Sequence, residues 1–154
     1  MRILLLSLSA LLLTACSGSK PYPDLPDKNF GVKTVSDSGA MLENGEASLD
    51  IYAVNADCAT LYKGTLQLNQ PVVEFGLPPK QQSYLVFTFN TSGQNSGSGN
   101  TVQGAFLTPK TAYRYMAEVS YVDTIYKVKV FEMNPAGRQS RQLELKDLSG
   151  CKNN

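Results

Sequence analysis

The sequence predicts an all-β domain, an antiparallel β-sandwich of seven or eight strands. Three observations carry that expectation. From about Val32 onward, apolar and polar residues alternate with period two in one segment after another, as strands with one buried face do. The separators are turn chemistry: Ser38-Gly39, Asn44-Gly45, Pro78-Pro79 and Asn134-Pro135-Ala136-Gly137. Beyond Cys16 no stretch sustains the i, i+3, i+4 apolar spacing of an amphipathic helix.

The elements follow in order. Leu49, Ile51 and Ala53 alternate with Ser48, Asp50 and Tyr52, and Tyr62, Leu66 and Leu68 with Lys63, Thr65 and Gln67. Val73 and Phe75 make a short strand that stops at Gly76-Leu77-Pro78-Pro79, because proline has no N–H for a ladder. The stretch from Tyr84 to Phe89 is apolar at both parities, as in a central strand covered on both faces. Asn90 to Thr101 contains no hydrophobic residue and three glycines, and reads as a mobile, solvated loop. Val102 to Leu107 is the next strand. Tyr113, Tyr115, Ala117, Val119 and Tyr121 alternate with Arg114, Glu118 and Ser120, and Tyr126, Val128 and Val130 with Lys127 and Lys129. Asp123-Thr124 between them reads as a two-residue hairpin turn, although it lacks the glycine that type I′ turns favour; one long bent strand is the alternative. Leu143 and Leu145, between Arg141 and Lys146, form the last candidate. Short, evenly spaced strands of this kind suit an immunoglobulin-like or transthyretin-like sandwich.

The N-terminus carries a different signal. After Arg2, the run from Ile3 to Leu13 holds only Ile, Leu, Ala and Ser. It is far shorter than the ~20 apolar residues of a spanning helix and fits the apolar core of a signal peptide. It ends in Leu13-Thr14-Ala15-Cys16, which resembles the lipobox of bacterial lipoproteins. The resemblance implies cleavage before Cys16, a diacylglyceryl thioether on its sulfur, and acylation of the new amine by a chain such as palmitate. In two-membrane bacteria Ser17 at the following position resembles outer-membrane sorting, and the resemblance implies the periplasmic side of that membrane. A plain signal peptide with a chance cysteine is the simpler alternative. Three prolines between Ser17 and Phe30 argue against a packed element there, although Tyr22 and Leu25 could dock on the domain. The organisation expected is a signal peptide over 1–15, a lipidated flexible tether over 16–30 and a β-sandwich domain over 31–154.

Composition excludes more than it assigns. The net charge of +1 gives no hint of a nucleic-acid partner. Histidine is absent, which removes Ser-His-Asp and Cys-His machinery and the commonest zinc ligand; no metal or cofactor is expected. With Cys16 lipidated in an oxidising compartment, Cys58 and Cys151 are left to pair as a disulfide; two free buried thiols are the alternative.

Functional candidates are few. Tyr113, Tyr115 and Tyr121 share one face of one strand, and aromatic stripes bind sugars and peptides; core packing is the plainer use. The Asn90 to Thr101 loop, with Asn95 and Asn100, sits where sandwich loops carry binding, or is a flexible connector. Arg114, Glu118, Lys127 and Lys129 cluster if their strands pair, as a partner surface or as ordinary solubility charge. There is no nucleophile elbow, phosphate loop or Cys-x-x-Cys, and the acids show no paired spacing, so no catalytic residue is assigned. The expected function is a membrane-anchored, non-catalytic binding or assembly module with an envelope protein as partner. The alternative is a small-ligand or glycan binder; an envelope enzyme ranks below both.

Overall fold

The computed structural model describes residues 19–35, 45–93, 97–122, 125–137 and 140–153. Nine strands are described: β1 (Phe30–Val35), β2 (Gly45–Val54), β3 (Thr60–Gln67), β4 (Val72–Phe75), β5 (Ser83–Gly93), β6 (Gly97–Leu107), β7 (Arg114–Val122), β8 (Ile125–Met133) and β9 (Ser140–Leu143). A short 3-10 helix follows at Leu148–Asn153. One sheet runs β4-β1-β7-β8-β9 and the other β3-β2-β5-β6. The all-β sandwich expected from the alternation is therefore the fold. Its extra strand is β1, where Phe30 and Val32 point inward around Gly31. β1 also makes the one parallel pairing between named strands, with β7. The four-stranded sheet lies between the two in sequence and supplies the long connection that parallel neighbours need.

The inward residues of both sheets form one core. Phe30 and Val32 meet Leu49 and Ile51, Leu85, Phe87 and Phe89, Tyr115, Ala117 and Val119, and Tyr126, Val128 and Val130. Phe89 of one sheet stacks on Tyr126 of the other with ring centroids 4.4 Å apart, a contact of the kind worth ~0.5–1.5 kcal/mol beyond the area it buries.

Two expectations are corrected. β5 and β6 pair without interruption from Ser83↔Leu107 to Gly93↔Gly97. Most of the stretch read as a loop is thus strand, leaving residues 94–96, which lie outside the described residues. Backbone pairing is indifferent to side-chain polarity, so a Gly, Ser, Asn and Thr sequence continues a hairpin that apolar residues begin. The second concerns the tether over its described residues 19–30, where Tyr22 docks on the domain as its sequence allowed. From Lys20 the chain lies along β3: Tyr22 N donates to Thr65 O at 3.0 Å and Thr65 N to Lys20 O at 2.8 Å. Tyr22 is buried and its hydroxyl donates to Gly76 O at 2.8 Å. This close passage requires Gly64, where a Cβ would lie 2.5 Å from the Tyr22 Cα. Asn29 then locks the entry to β1, exchanging two 2.8 Å hydrogen bonds with the Leu77 backbone. For Asp123-Thr124, pairing continues to Val122↔Ile125, as a hairpin with two intervening residues requires; those two lie outside the described residues.

Two further links join the sheets. β9 pairs with β8 only from Val130 onward, and the next part of that edge is served by a side chain. Gln103 of β6 donates from Nε2 to Tyr126 O at 2.6 Å and accepts from Val128 N at 2.9 Å, so its carboxamide stands in for a peptide group. Cys58, in the β2–β3 turn, is bonded to Cys151 in the 3-10 helix with Cα atoms 5.9 Å apart, an ordinary spacing for a disulfide. The helix lies against β6, so the bond holds the C-terminal segment between β6 and the β2–β3 turn. With 93 residues of sequence separation, chain entropy gives the bond about 4–5 kcal/mol. Cys58→Ser is therefore expected to lower unfolding stability by a few kcal/mol in a denaturant titration; an unchanged midpoint would show that the bond contributes nothing.

Candidate interaction face

Of the tyrosine stripe along β7, Tyr115 serves the core. Tyr115 is only 2% exposed and stacks on Phe30 with centroids 6.2 Å apart. Its hydroxyl donates to Glu132 Oε2 at 3.1 Å and accepts from Lys110 N at 2.9 Å. Glu132 Oε1 also receives Lys110 Nζ at 2.9 Å and Arg141 Nη2 at 3.2 Å. Tyr113, just before β7, is half-buried with Lys110 Nζ 4.9 Å from its ring centroid. The Tyr121 and Asn100 side chains and Asn95 lie outside the described residues, as does Cys16.

Around Glu132 the electrostatics are those of a closed knot. Burial pushes its carboxyl pKa up, but hydrogen bonds from Lys110 and Tyr115 and the charges of Lys110 and Arg141 outweigh that and hold it below the usual carboxylate value. Tyr115 moves the other way. Burial, then the Glu132 charge, push its phenol up to about 12, against a smaller lowering by the Lys110 backbone N–H. A cleft of about 560 Å³ opens beside this knot between β6 and β9, lined by Phe106, Lys110, Glu132 and Arg141 among others. Its carboxylate already holds three donors, so proton transfer through it would first have to break them.

Of the charged cluster, Glu118, Lys127 and Lys129 are brought together, while Arg114 stands opposite Met133 at the start of β7. Glu118 is paired in register with Lys129 on one side and Lys33 on the other, and Ser120 with Lys127. Signs are mixed along the outer face of the five-stranded sheet, which suits solvation as well as recognition.

The outer face of the other sheet is different. Register sets Tyr62 of β3 opposite Tyr52 of β2, Tyr52 opposite Tyr84 of β5, and Tyr84 opposite Phe106 of β6. Four aromatic residues therefore cross all four strands in one row. Ring centroids are 5.5 Å apart for Tyr52 and Tyr62 and 6.4 Å for Tyr52 and Tyr84. Tyr84 lies over Gly104, where a Cβ would come within 2.2 Å of its hydroxyl oxygen. At one end the Tyr62 hydroxyl sits 2.5 Å from Thr65 Oγ1 and 3.3 Å from Lys20 O, and Thr65 donates onward to Asp50 Oδ1. β5 was expected to be covered on both faces. Leu85, Phe87 and Phe89 are buried, but Tyr84, Val86 and Thr88 are only half-buried. Val102, beside Thr88, is 58% exposed.

The outward parity of Tyr52 was legible in its alternation with Leu49 and Ile51. The row itself was not, because it depends on the register of four strands. Among the described residues no three His, Cys, Asp or Glu side chains gather as a metal site would need. Comparison with protein-family models and with curated proteins finds no match for the chain.

The raised phenol pKa has a signed consequence. A folded-state pKa above the unfolded value of about 10 gives stability that is complete below pH 10 and is lost as pH rises toward 12. Tyr115→Phe is expected to flatten the loss of stability between pH 10 and 12 in chemical denaturation. Equal slopes for variant and wild type would contradict burial of this phenol.

Proposed function

We propose that the chain is a lipid-anchored, extracytoplasmic binding module without catalysis, holding an envelope protein against the outer face of its four-stranded sheet. The cysteines carry the reading. Cys58 and Cys151 are used on each other, as suits an oxidising compartment, and the third, Cys16, closes the lipobox-like tetrapeptide Leu13-Thr14-Ala15-Cys16. Each buried methylene of an acyl chain contributes ~0.8 kcal/mol, so two or three chains hold far more firmly than one. Ser17 after the lipidated position supports the outer membrane, facing the periplasm.

The docked segment shortens the leash. Residues 16–20 span at most about 18 Å when extended, after which the chain lies on β3. The module is therefore held near the bilayer by its β3 side. In the order β3-β2-β5-β6, β6 is the strand farthest from that attachment. The outer face supports partner binding because a two-layer sandwich has no use for apolar residues there, yet Tyr52, Tyr84, Val86 and Val102 occupy it. The same row is the observation that favours the second reading, a glycan or small-ligand binder, since stacked rings offer area at low entropy cost. The satisfied state of Glu132 supports the non-catalytic reading.

The test is the mass and the location of the native protein. A mature N-terminus at Cys16 carrying acyl mass, with Cys16→Ser moving into the soluble fraction while still folded, is the expected result. A native protein with no acyl mass, or a Cys16→Ser variant that stays with membranes, would overturn the anchoring.

A further inference from the structure

Two sheets have four edge strands, and here three are protected in recognisable ways. β3 is bridged at Thr65 by Lys20–Tyr22 through two backbone hydrogen bonds. β4 is four residues long, carries Glu74 and lies between Pro71 and Pro78. β9 is also four residues long and carries Arg141. Short length, charge, proline and cover are the devices by which natural sheets avoid edge-to-edge pairing.

β6 has none of them over most of its length. Its sequence, Gly-Ser-Gly-Asn-Thr-Val-Gln-Gly-Ala-Phe-Leu, contains no charged residue and no proline, and its pairing with β5 has no bulge. Its free edge makes one backbone hydrogen bond to another segment among the described residues, Phe106 N to Lys146 O at 2.9 Å. That bond shows which residues face outward: in a strand the N–H and C=O of alternate residues share a side, so Gly104, Val102, Asn100 and Ser98 present theirs to the same open edge. A cleft of about 510 Å³ lies beside Gln103 and Gly104, walled by Leu145, Lys146, Asp147 and Ser149. Lys146 thus begins an additional strand position, and beyond it the edge makes no further backbone hydrogen bond to another segment among the described residues.

We propose that this edge pairs with β6 of a second copy over Asn100 to Gly104, antiparallel about a two-fold axis near Val102, joining two four-stranded sheets into one of eight; Phe106, already bonded to Lys146, stays outside the pairing. Charge selects the occupant. A two-fold axis brings each strand against its own copy, so charges near the axis would meet their like, which destabilises a sheet. An uncharged strand satisfies that condition and offers a different partner no charge to recognise. The pairing also covers Val102, the exposed large apolar residue of this edge. Antiparallel pairing within one sheet puts the axis perpendicular to it, so the aromatic rows of both copies lie on the same side and the outer face is doubled. A single strand pair buries less than the roughly 800 Å² per partner of a standard interface, so the dimer is weak and fills with concentration. The inference rests on the fold and is independent of the lipid.

The test is a cysteine scan of three edges in the full-length chain. Leu61 on β3, Val72 on β4 and Val102 on β6 are 61%, 44% and 58% exposed, so Leu61→Cys, Val72→Cys and Val102→Cys compare like with like. Facing Cα atoms in an antiparallel pair are ~4.5–5.5 Å apart, within the range a disulfide spans. Under mild oxidation, Val102→Cys is expected to give a reducible adduct of twice the chain mass, at least ten-fold above either control. Asn100→Cys, one step along the same parity, covers an axis displaced toward Gly97. No adduct at 100 or 102 in folded variants, equal yields at all three edges, or an adduct to a different protein each overturns the proposal. Light scattering adds a second readout: wild-type mass should rise toward twice the chain mass with concentration, while Val102→Lys stays at one with an unchanged melting curve. A Val102→Lys variant that still doubles would also refute it.

Discussion

Each open edge of a β-sandwich carries a row of N–H and C=O groups, and a buried group of this kind left unpaired costs about 1–3 kcal/mol. Meeting that demand organises much of this molecule outside its core. Lys20–Tyr22 closes β3, the Gln103 carboxamide serves β8 beyond the reach of β9, and Lys146 takes the Phe106 end of β6. These devices also explain the small residues around them. Gly64 lets the Tyr22 backbone approach, and Gly104 lets the Tyr84 ring lie down on the sheet.

The same accounting separates structural chemistry from candidate functional chemistry. Glu132 with Lys110, Arg141 and Tyr115 is the densest cluster of titratable groups described, yet each group in it is engaged by another. Its role is to let Tyr115 sit in the core with its hydroxyl satisfied. The aromatic row on the opposite sheet is the reverse case. Its rings touch each other and the backbone of β6, and at one end the Tyr62 hydroxyl reaches Thr65 and Lys20. A half-buried aromatic row beside an uncharged edge strand is the part of this sandwich that core packing leaves unexplained.

Much of the architecture was legible in the residues because strand alternation is local. Leu49 and Ile51, Val73 and Phe75, and Val128 and Val130 announce their faces within a few positions. β1 escaped as a separate strand because its inward pair, Phe30 and Val32, stands beside proline-rich sequence that masks the alternation. The hairpin extension from Asn90 to Gly93 and Gly97 to Thr101 escaped because composition reports solubility, whereas pairing is a backbone property. Cys58 and Cys151 could be matched by elimination once Cys16 was set aside. The row Tyr62, Tyr52, Tyr84 and Phe106 could not, since it needs the register of β3, β2, β5 and β6 at once. For the β7 stripe, period two shows that Tyr113 and Tyr115 share a face, and the plainer use, core packing, is the one Tyr115 has.

Residue-resolved amide hydrogen exchange tests this edge-closing scheme most directly. Protection of Val128, Thr65 and Phe106 comparable to that of the strand ladders is predicted, together with Gly104 and Val102 amides that exchange fast in dilute protein and slow as concentration rises. Val128 and Thr65 exchanging like open loop amides, while the core remains protected, would contradict it.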